Sequence, residues 1–377
     1  MKDGIKIFSI LGIDVKLHYS WWFIFILLSW SLSASFFPLY FPGYSTGTYW
    51  LMGIAASLLL FISVLLHELS HSLMARIRKI KVKSITLFFF GGVAGIDTED
   101  LKPSSEFLMA ISGPLFSLIL GGMFYLIYLS DGQGVITAIA FYLYQLNLIL
   151  ALFNLVPGYP LDGGRAFRAV LYAYYKDLVK ATAIASQVGK IFAGFLIIFG
   201  FIGIFTGSGG GLWFMLIGGF LYFIAGLSYQ QVVAKSILEK IKVKDIMKTR
   251  IIALNPEMML SEFIKKYADY EDNLFLIKNN QVQGIIDVDL LAPIKPEYQS
   301  KTPLIKLALP LRNIPAVDKN ASAYRALQLL SGCGANAIPV LDKNKVAGII
   351  TQRILLNRMA WELKFRGGQL RKSRINH

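Results

Sequence analysis

FISVLLHELSHSL, residues 61–73, sets two histidines and a glutamate inside a long apolar run. His67 and His71 are four residues apart, so on a helix both imidazoles project from one face and can reach one metal ion. Glu68 follows His67 directly, where a carboxylate can hold a metal-bound water without being a ligand. The alternative is a short helix with a capped polar patch. Ionisable groups inside an apolar segment are costly and usually functional, which argues against that alternative.

The pattern HExxH is typical of zinc hydrolases, in which it provides two ligands and a general base. It contains two of the four histidines of the chain. The single cysteine, Cys333, excludes an internal disulfide and a thiolate metal cage. The sequence therefore predicts a Zn²⁺ site at His67 and His71, with Glu68 as the catalytic carboxylate.

The composition indicates a polytopic membrane protein, because 55% of the 377 residues are hydrophobic and only 16% are charged. The first apolar stretch is not followed by a small-residue cleavage site, so it is predicted to be a retained membrane span rather than a signal peptide. Six apolar stretches are long enough to span a bilayer: residues 19–37, 50–75, 107–129, 136–156, 184–205 and 212–233.

The net charge of +15 is distributed unevenly along the chain. Lys and Arg occur at the N-terminus and after the second, fourth and sixth stretches, but not in the loops after the first, third and fifth. By the positive-inside rule both termini are cytoplasmic. The basic excess then faces the lipid bilayer and the cytoplasm rather than a nucleic acid. His67 precedes Arg76 by nine residues, so it is predicted roughly 13 Å inside the cytoplasmic end of its helix.

A β-hairpin is predicted between the second and third spans. Residues 85–90 favour a strand, Gly91 and Gly92 a tight turn, and residues 93–96 a return strand. The hairpin is either an interfacial anchor that uses Phe88, Phe89 and Phe90, or an edge that pairs with an extended peptide. Both interpretations stay open on the sequence alone.

The fourth span ends in FNLVPGYPLDGGR, residues 153–165, where prolines and glycines break the helix at Asp162. Asp162 is either the third ligand of the metal or the cap of the segment that follows it. Asn154 lies in the same span. Its amide could donate to an oxyanion or join a hydrogen bond between helices.

These motifs together resemble the site-2 protease family of intramembrane zinc metalloproteases. The matching residues are HELSH at 67–71, FFFGGVA at 88–94, SGP at 112–114 and NLVPGYPLDGGR at 154–165. The resemblance covers about the first 230 residues. It implies His67, His71 and Asp162 as zinc ligands, Glu68 as the catalytic carboxylate and a membrane-spanning protein as substrate. Family members often have Asn at the position of Ser117, so the resemblance assigns no role to Ser117.

The remainder of the chain contains an internal repeat, with Gly284 and Gly348 at matching positions 64 residues apart. The repeat resembles a tandem pair of CBS domains, which often bind adenine nucleotides. The family's nucleotide pattern ends in Asp, and here Leu290 and Ile354 take that position. The predicted domains are a zinc protease domain (1–235), a cytoplasmic CBS pair (241–362, in parts of about 241–295 and 301–362) and a basic tail (363–377), disordered or facing the membrane.

Three functions fit this organisation. The first is an intramembrane zinc metalloprotease regulated by its CBS pair, the second a CBS-gated transporter or channel, and the third a catalytically silent scaffold. A transporter predicts a repeat between membrane halves, which the sequence lacks. A silent scaffold predicts the loss of Glu68 or of a ligand, and all are present. The prediction is a protease in a prokaryotic cell membrane, monomeric or oligomeric, with six transmembrane helices and a membrane-associated hairpin followed by a soluble α/β CBS pair.

Overall fold

The computed structural model divides into two units, Met1–Gln230 and Gln231–His377. It covers residues 4–88, 91–96, 101–130, 134–207, 210–268, 270, 274–279, 282–288, 291, 293–311, 314–333, 336–343 and 345–372. For residues 83, 93, 94, 96, 274 and 366–372 the description is limited to the backbone.

The first unit is built from long apolar helices. Its helices are α1 (Ser20–Ser31), continued by a π-helical turn (Leu32–Phe36) into α2 (Phe37–Tyr40), then α3 (Thr46–Ile77), α4 (Pro103–Ser130), α5 (Val135–Asn154), α6 (Asp162–Tyr175), α7 (Leu178–Phe205) and α8 (Gly211–Leu238), which crosses the boundary between the units. Within the described residues, six helical segments are long and apolar enough to cross a membrane, namely α1 with α2, α3, α4, α5, α7 and α8. The six predicted spans are confirmed.

Local chemistry explains where α3 begins and what it packs against. Ser45 caps its N-terminus, since the Ser45 hydroxyl accepts a hydrogen bond of 3.2 Å from the Thr48 amide. Its 32 residues are longer than a bilayer requires. Helix α4 packs against α3, α5 and α6 and so joins the HELSH segment to the segment that begins at Asp162.

A four-stranded sheet accompanies the helices of the first unit. Its strands are β1 (Ile5–Ile10), β2 (Ile13–Leu17), β3 (Val82–Phe88) and β4 (Gly91–Ile96), and they lie in the order β1-β2-β3-β4. The first and last pairs are antiparallel, and β2 pairs in parallel with β3. Between β1 and β2, Leu11 and Gly12 both have positive φ, of 51° and 75°, as a two-residue hairpin turn requires. The predicted hairpin is thus part of a larger sheet.

The predicted turn at Gly91 and Gly92 is wrong in position. Phe88 pairs with Gly91 and Leu87 with Gly92, so both glycines lie in β4. Gly92 is required for a reason other than a turn, because a Cβ at this position would collide with the side chain of Glu68 on α3. Phe89 and Phe90, part of the predicted anchor, lie outside the described residues.

The second unit contains two similar halves. Its strands are β5 (Ala253–Leu254), β6 (Leu274–Lys278), β7 (Val282–Asp287), β8 (Leu309–Pro310), β9 (Val317–Asp318), β10 (Ala337–Asp342) and β11 (Lys345–Thr351), and its helices are α9 (Leu260–Tyr267), α10 (Pro296–Gln299), α11 (Leu304–Leu307), α12 (Ala323–Cys333) and α13 (Gln352–Lys372). In each half a short strand pairs in parallel with the first strand of an antiparallel hairpin: β5 with β6, and β9 with β10. This repetition of the same pairing matches the predicted internal repeat.

Helix α13 extends beyond the predicted end of the CBS pair. It continues to Lys372, so the backbone is helical in most of the segment predicted to be a disordered or membrane-facing tail. One physical reason lies where this segment begins, because the rings of Trp361 and Phe365, one turn apart, are in tilted contact with centroids 4.4 Å apart. The last five residues lie outside the described part of the chain.

Candidate metal centre and active site

Helix α3 presents the two histidines of the HELSH segment to the interior of the first unit. His67 and His71 are 4% and 3% exposed, and their Nε2 atoms are 3.3 Å apart. The two rings meet edge to face, with centroids 4.9 Å apart. The spacing of four residues therefore has the predicted effect, with both imidazoles directed to one point.

Asp162 reaches the same point from the start of α6. Its Oδ2 atom lies 3.2 Å from His67 Nε2 and 3.0 Å from His71 Nε2. The chain can turn back there because Gly164 has no side chain, since a Cβ at this position would collide with the backbone of Gly158 and Tyr159. The structure thus brings together the three residues that were predicted to bind one metal ion, across more than 90 residues of sequence.

The donor atoms of this cluster fit a tetrahedral zinc ion. Zinc bonds of about 2.0–2.2 Å at tetrahedral angles put neighbouring ligand atoms roughly 3.3 Å apart. The three donor atoms of His67, His71 and Asp162 are separated by 3.0, 3.2 and 3.3 Å. Two imidazoles and one carboxylate are also a donor set that catalytic zinc sites use, with the fourth position left for water.

The surroundings of Asp162 favour its charged form. Burial by itself raises the pKa of the Asp162 carboxyl, but its interactions with the neighbouring imidazoles of His71 and His67 outweigh burial. The pKa of this carboxyl is therefore held well below its ordinary value. Arg165, one turn along α6, adds to this effect with Nη1 4.0 Å from Asp162 Oδ1.

Helix α4 provides a partner for the second nitrogen of each imidazole. His71 Nδ1 lies 2.6 Å from the carbonyl oxygen of Met109, and His67 Nδ1 lies 2.8 Å from Ser117 Oγ. Between these two residues, Gly113 stands against the Nε2 atoms of both histidines, because a Cβ there would lie 2.7 Å from His67 Nε2 and closer still to His71 Nε2. The sequence did not predict these partners. The only signal was the spacing of four residues between 109, 113 and 117 on one predicted helix.

Glu68 lies next to the cluster and is covered by the sheet. A Cβ on Gly92 of β4 would lie 3.1 Å from Glu68 Cδ and 3.3 Å from its Oε1. Strand β4 is at the end of the sheet, and within the described residues it pairs only with β3. Strand β4, an end strand of this sheet, therefore has one face against the predicted catalytic carboxylate.

Asn154 is at the C-terminal end of α5, and its described hydrogen bond stays within that helix. Its Nδ2 donates to the carbonyl oxygen of Leu150 over 3.0 Å. An amide nitrogen carries two hydrogens, so this bond leaves one for another acceptor. The role of Asn154 in catalysis stays a prediction.

A buried ion pair connects α6 to the start of α4. Arg168 donates to Glu106 Oε1 from Nε over 2.9 Å and also from Nη2. Glu106 is 2% exposed and Arg168 8%, and the guanidinium lies 4.8 Å from the centre of the Tyr159 ring. Arg168 thus contacts both the helix that orients the histidines and the loop that leads to Asp162.

In the second unit, the residues three positions after Gly284 and Gly348, where the nucleotide pattern has Thr or Ser, have internal partners. Asp287, at the end of β7, is 5% exposed and accepts a 2.9 Å hydrogen bond from Asn336 Nδ2. Thr351, at the end of β11, accepts a 3.1 Å bond from the Ile354 amide through Oγ1. These bonds stabilise the ends of the strands in both halves.

A helical membrane domain with a buried cluster of two histidines and a carboxylate has the architecture of a membrane-embedded metallohydrolase. Comparison with known proteins identifies the class further. The family model described as Peptidase family M50 matches residues 55–141 and 130–199, and the CBS domain model matches residues 243–291 and 305–360.

Curated relatives match almost the whole chain. A protein of Synechocystis sp., sll0528, is 32% identical over 94% of this chain and 95% of its own. Rip3 of Mycobacterium tuberculosis is 30% identical over 93% of this chain and 91% of its own. Both are named as zinc metalloproteases. Among solved structures, the site-2 protease from Methanocaldococcus jannaschii matches with 28% identity and a TM-score of 0.41, covering 59% of this chain and 94% of that one.

The chain therefore belongs to peptidase family M50, the site-2 protease family. It is a multi-pass membrane zinc metalloprotease that carries a tandem CBS pair. The predicted family, fold class and Zn²⁺ cofactor are confirmed.

Proposed function

We propose that this protein hydrolyses a peptide bond within or near the transmembrane segment of a membrane-protein substrate. In this proposal His67, His71 and Asp162 hold the zinc ion, and Glu68 is the catalytic carboxylate. The observation that carries the proposal is the spacing of the three donor atoms, 3.0, 3.2 and 3.3 Å, in a buried cluster.

The reaction follows from the position of the carboxylate beside this cluster. Zinc at such a site supplies an acidified water and a Lewis acid for the peptide carbonyl. Glu68 takes the proton of the attacking water and then gives it to the leaving amine nitrogen as the C–N bond breaks. Asn154 is a candidate donor to the developing oxyanion through its second amide hydrogen.

Strand β4 is a candidate for binding the substrate as an extended peptide. A transmembrane helix bonds its own backbone groups, so its peptide bonds are accessible only after the helix opens. An extended peptide can pair with an exposed strand edge, and β4 is an end strand that passes over Glu68. The expected substrate is a membrane-spanning protein with helix-weakening residues near the cleaved bond.

The distribution of charge supports an orientation with both termini in the cytoplasm. The HELSH segment lies near the end of α3 that leads to Arg76 and Arg78, which by the same rule is the cytoplasmic end. We therefore propose that cleavage occurs toward the cytoplasmic side and that one product is released into the cytoplasm.

The CBS pair is proposed to regulate access to the site. The boundary between the two units falls within α8, so no loop separates the last span from the second unit in sequence. The second unit carries the CBS repeats. CBS pairs in other proteins often bind a regulatory ligand. Adenine nucleotides are candidate ligands, although Leu290 and Ile354 replace the Asp of their usual pattern.

The experiment that tests the reaction is Glu68→Gln. The purified variant should keep its zinc and its fold, while its cleavage of single-span membrane proteins in proteoliposomes falls roughly 10²- to 10⁴-fold, as expected for the loss of a general base. Glu239→Gln is the matched control, because it makes the same change at an exposed residue near the end of α8. If Glu68→Gln retains most of its proteolysis, the proposed mechanism is wrong.

A further inference from the structure

The two imidazoles of the metal cluster are oriented from α4 by acceptors of different kinds. His71 Nδ1 contacts a backbone carbonyl, that of Met109, at 2.6 Å, and no substitution of a side chain removes this acceptor. His67 Nδ1 contacts a side chain, the hydroxyl of Ser117, at 2.8 Å. A point substitution can therefore remove the partner of His67 but not that of His71.

Ser117 is completely buried in α4, with 0% of its surface exposed. It comes four residues after Gly113 and eight after Met109, so all three lie on the face of α4 that meets the histidines. A buried hydroxyl is costly without a hydrogen-bond partner, and the described partner of Ser117 is His67. Its presence at this position thus has a physical reason that concerns the imidazole.

The chemistry of imidazole explains what this contact does. A neutral histidine that binds a metal through Nε2 carries its proton on Nδ1. That proton needs an acceptor in a buried environment, and Ser117 Oγ is at the distance of such an acceptor. The bond fixes the ring rotation as well as the tautomer, so Nε2 stays directed at His71 Nε2 and Asp162 Oδ2.

We propose that Ser117 is a positioning residue for the metal centre, which accepts the Nδ1 proton of His67 and keeps Nε2 available as a ligand. This inference rests on the proposed ligand role of His67. Ser117 acts through His67 and does not contact the substrate or the reacting atoms.

The test is the zinc affinity of the full-length protein in detergent, measured by competition with a chromophoric chelator. Ser117→Ala should weaken zinc binding roughly 10- to 100-fold, the usual effect of removing an outer partner of a ligand histidine. Ser117→Thr keeps the hydroxyl and should bind zinc within a few fold of the parent. The midpoint of thermal unfolding of the zinc-free protein should fall only slightly, because the change removes a single neutral hydrogen bond.

Ser57→Ala is the matched control. Ser57 is also a fully buried serine of a spanning helix, and its Oγ has no hydrogen-bond partner within the described residues. Its substitution should leave the zinc affinity unchanged. The inference is overturned if Ser117→Ala binds zinc as tightly as Ser57→Ala, or if Ser117→Thr loses zinc as fully as Ser117→Ala.

His67→Ala separates this inference from the proposed function. If His67→Ala loses stoichiometric zinc while Ser117→Ala keeps its affinity, the ligand assignment stands and only the role of Ser117 fails. If His67→Ala itself keeps stoichiometric zinc, the proposed ligand set is wrong and the role of Ser117 fails with it.

Discussion

Gly92 of β4 lies directly against the side chain of Glu68 on α3, so that an added Cβ would overlap Glu68 Cγ and lie 3.3 Å from Oε1. The sheet therefore approaches the proposed catalytic carboxylate so closely that no side chain fits at residue 92 without displacing Glu68. This approach links two features of the proposal, because the strand that could hold an extended peptide also limits where the carboxylate can lie.

The first prediction concerns this contact. Gly92→Ala should displace the Glu68 carboxylate rather than unfold the protein, because the colliding atoms belong to a flexible side chain. A displacement on the order of 1 Å can lower a rate by about 100-fold. The expected result is a large loss of cleavage with normal zinc content and an unchanged midpoint of thermal unfolding.

Gly95→Ala is the control in the same strand. A Cβ there would be 3.4 Å from the Ser84 carbonyl oxygen and 3.5 Å from Ser84 Oγ, far from Glu68. Cleavage by this variant should stay close to that of the parent. Equal activity of the two variants would show that β4 does not constrain Glu68.

The second prediction concerns the space that the metal needs. A Cβ on Gly113 would collide with His71 Nε2 and lie 2.7 Å from His67 Nε2, on the side of the rings that faces Asp162. Gly113→Ala should therefore abolish stoichiometric zinc binding, as measured by metal analysis of the purified protein.

Gly122→Ala provides the comparison within α4. A Cβ at Gly122 meets nothing within 4 Å among the described residues, and alanine is the better helix former. This variant should bind one zinc ion and unfold at or above the temperature of the parent. Stoichiometric zinc in Gly113→Ala would contradict the position assigned to the metal.

Much of this architecture could be predicted because its signals are local. Hydropathy over about 20 residues is sufficient to find a span, and a spacing of four residues is sufficient to put His67 and His71 on one face. Asp162 was placed with them because a carboxylate at a broken membrane helix needs a partner, and because the motifs resemble a known family.

The parts of the fold and of the site that the sequence did not predict depend on contacts between segments that are distant in the chain. Strand β2 pairs in parallel with β3, which follows it by more than 60 residues, and no local pattern specifies such a pairing. The alternation of residues 5–10 and 13–17 around Leu11 and Gly12 was a usable signal for the first hairpin. For the contact of Ser117 with His67 the only signal was the spacing of residues 109, 113 and 117, and this spacing does not specify how α4 packs against α3.

The third prediction concerns regulation. A chain that ends at Ser236 lacks the CBS repeats but keeps His67, Glu68, His71 and Asp162. It should still bind zinc, whereas its cleavage rate or its selectivity among membrane substrates should change. The measurement compares both proteins in proteoliposomes on the same set of single-span substrates.

A second variant distinguishes regulation from an effect of chain length. Val340 is completely buried in the core of the second unit, so Val340→Asp should unfold that unit while the chain stays full length. Regulation predicts that this variant behaves like the truncated chain. Unchanged rates and selectivity in both would remove the proposed role of the CBS pair.

The last prediction concerns the ion pair between Arg168 and Glu106. Both side chains are buried, so removal of one partner leaves an uncompensated charge, at a cost of roughly 3–5 kcal/mol. Arg168→Met should therefore lower the midpoint of thermal unfolding strongly. The double variant Arg168→Met with Glu106→Leu should recover much of the loss, because two apolar side chains of similar volume can replace a buried pair.

An exposed pair gives the reference for this effect. Lys6 and Asp14 form an ion pair of 2.7 Å with side chains 53% and 36% exposed. Lys6→Met should leave the midpoint of thermal unfolding close to that of the parent, because solvent screens such a pair. If Arg168→Met unfolds at the same temperature as Lys6→Met, the buried pair does not hold α6 against α4. The position of Asp162 would then depend on the glycine-rich loop and on the other contacts of α6 with α4 and α7.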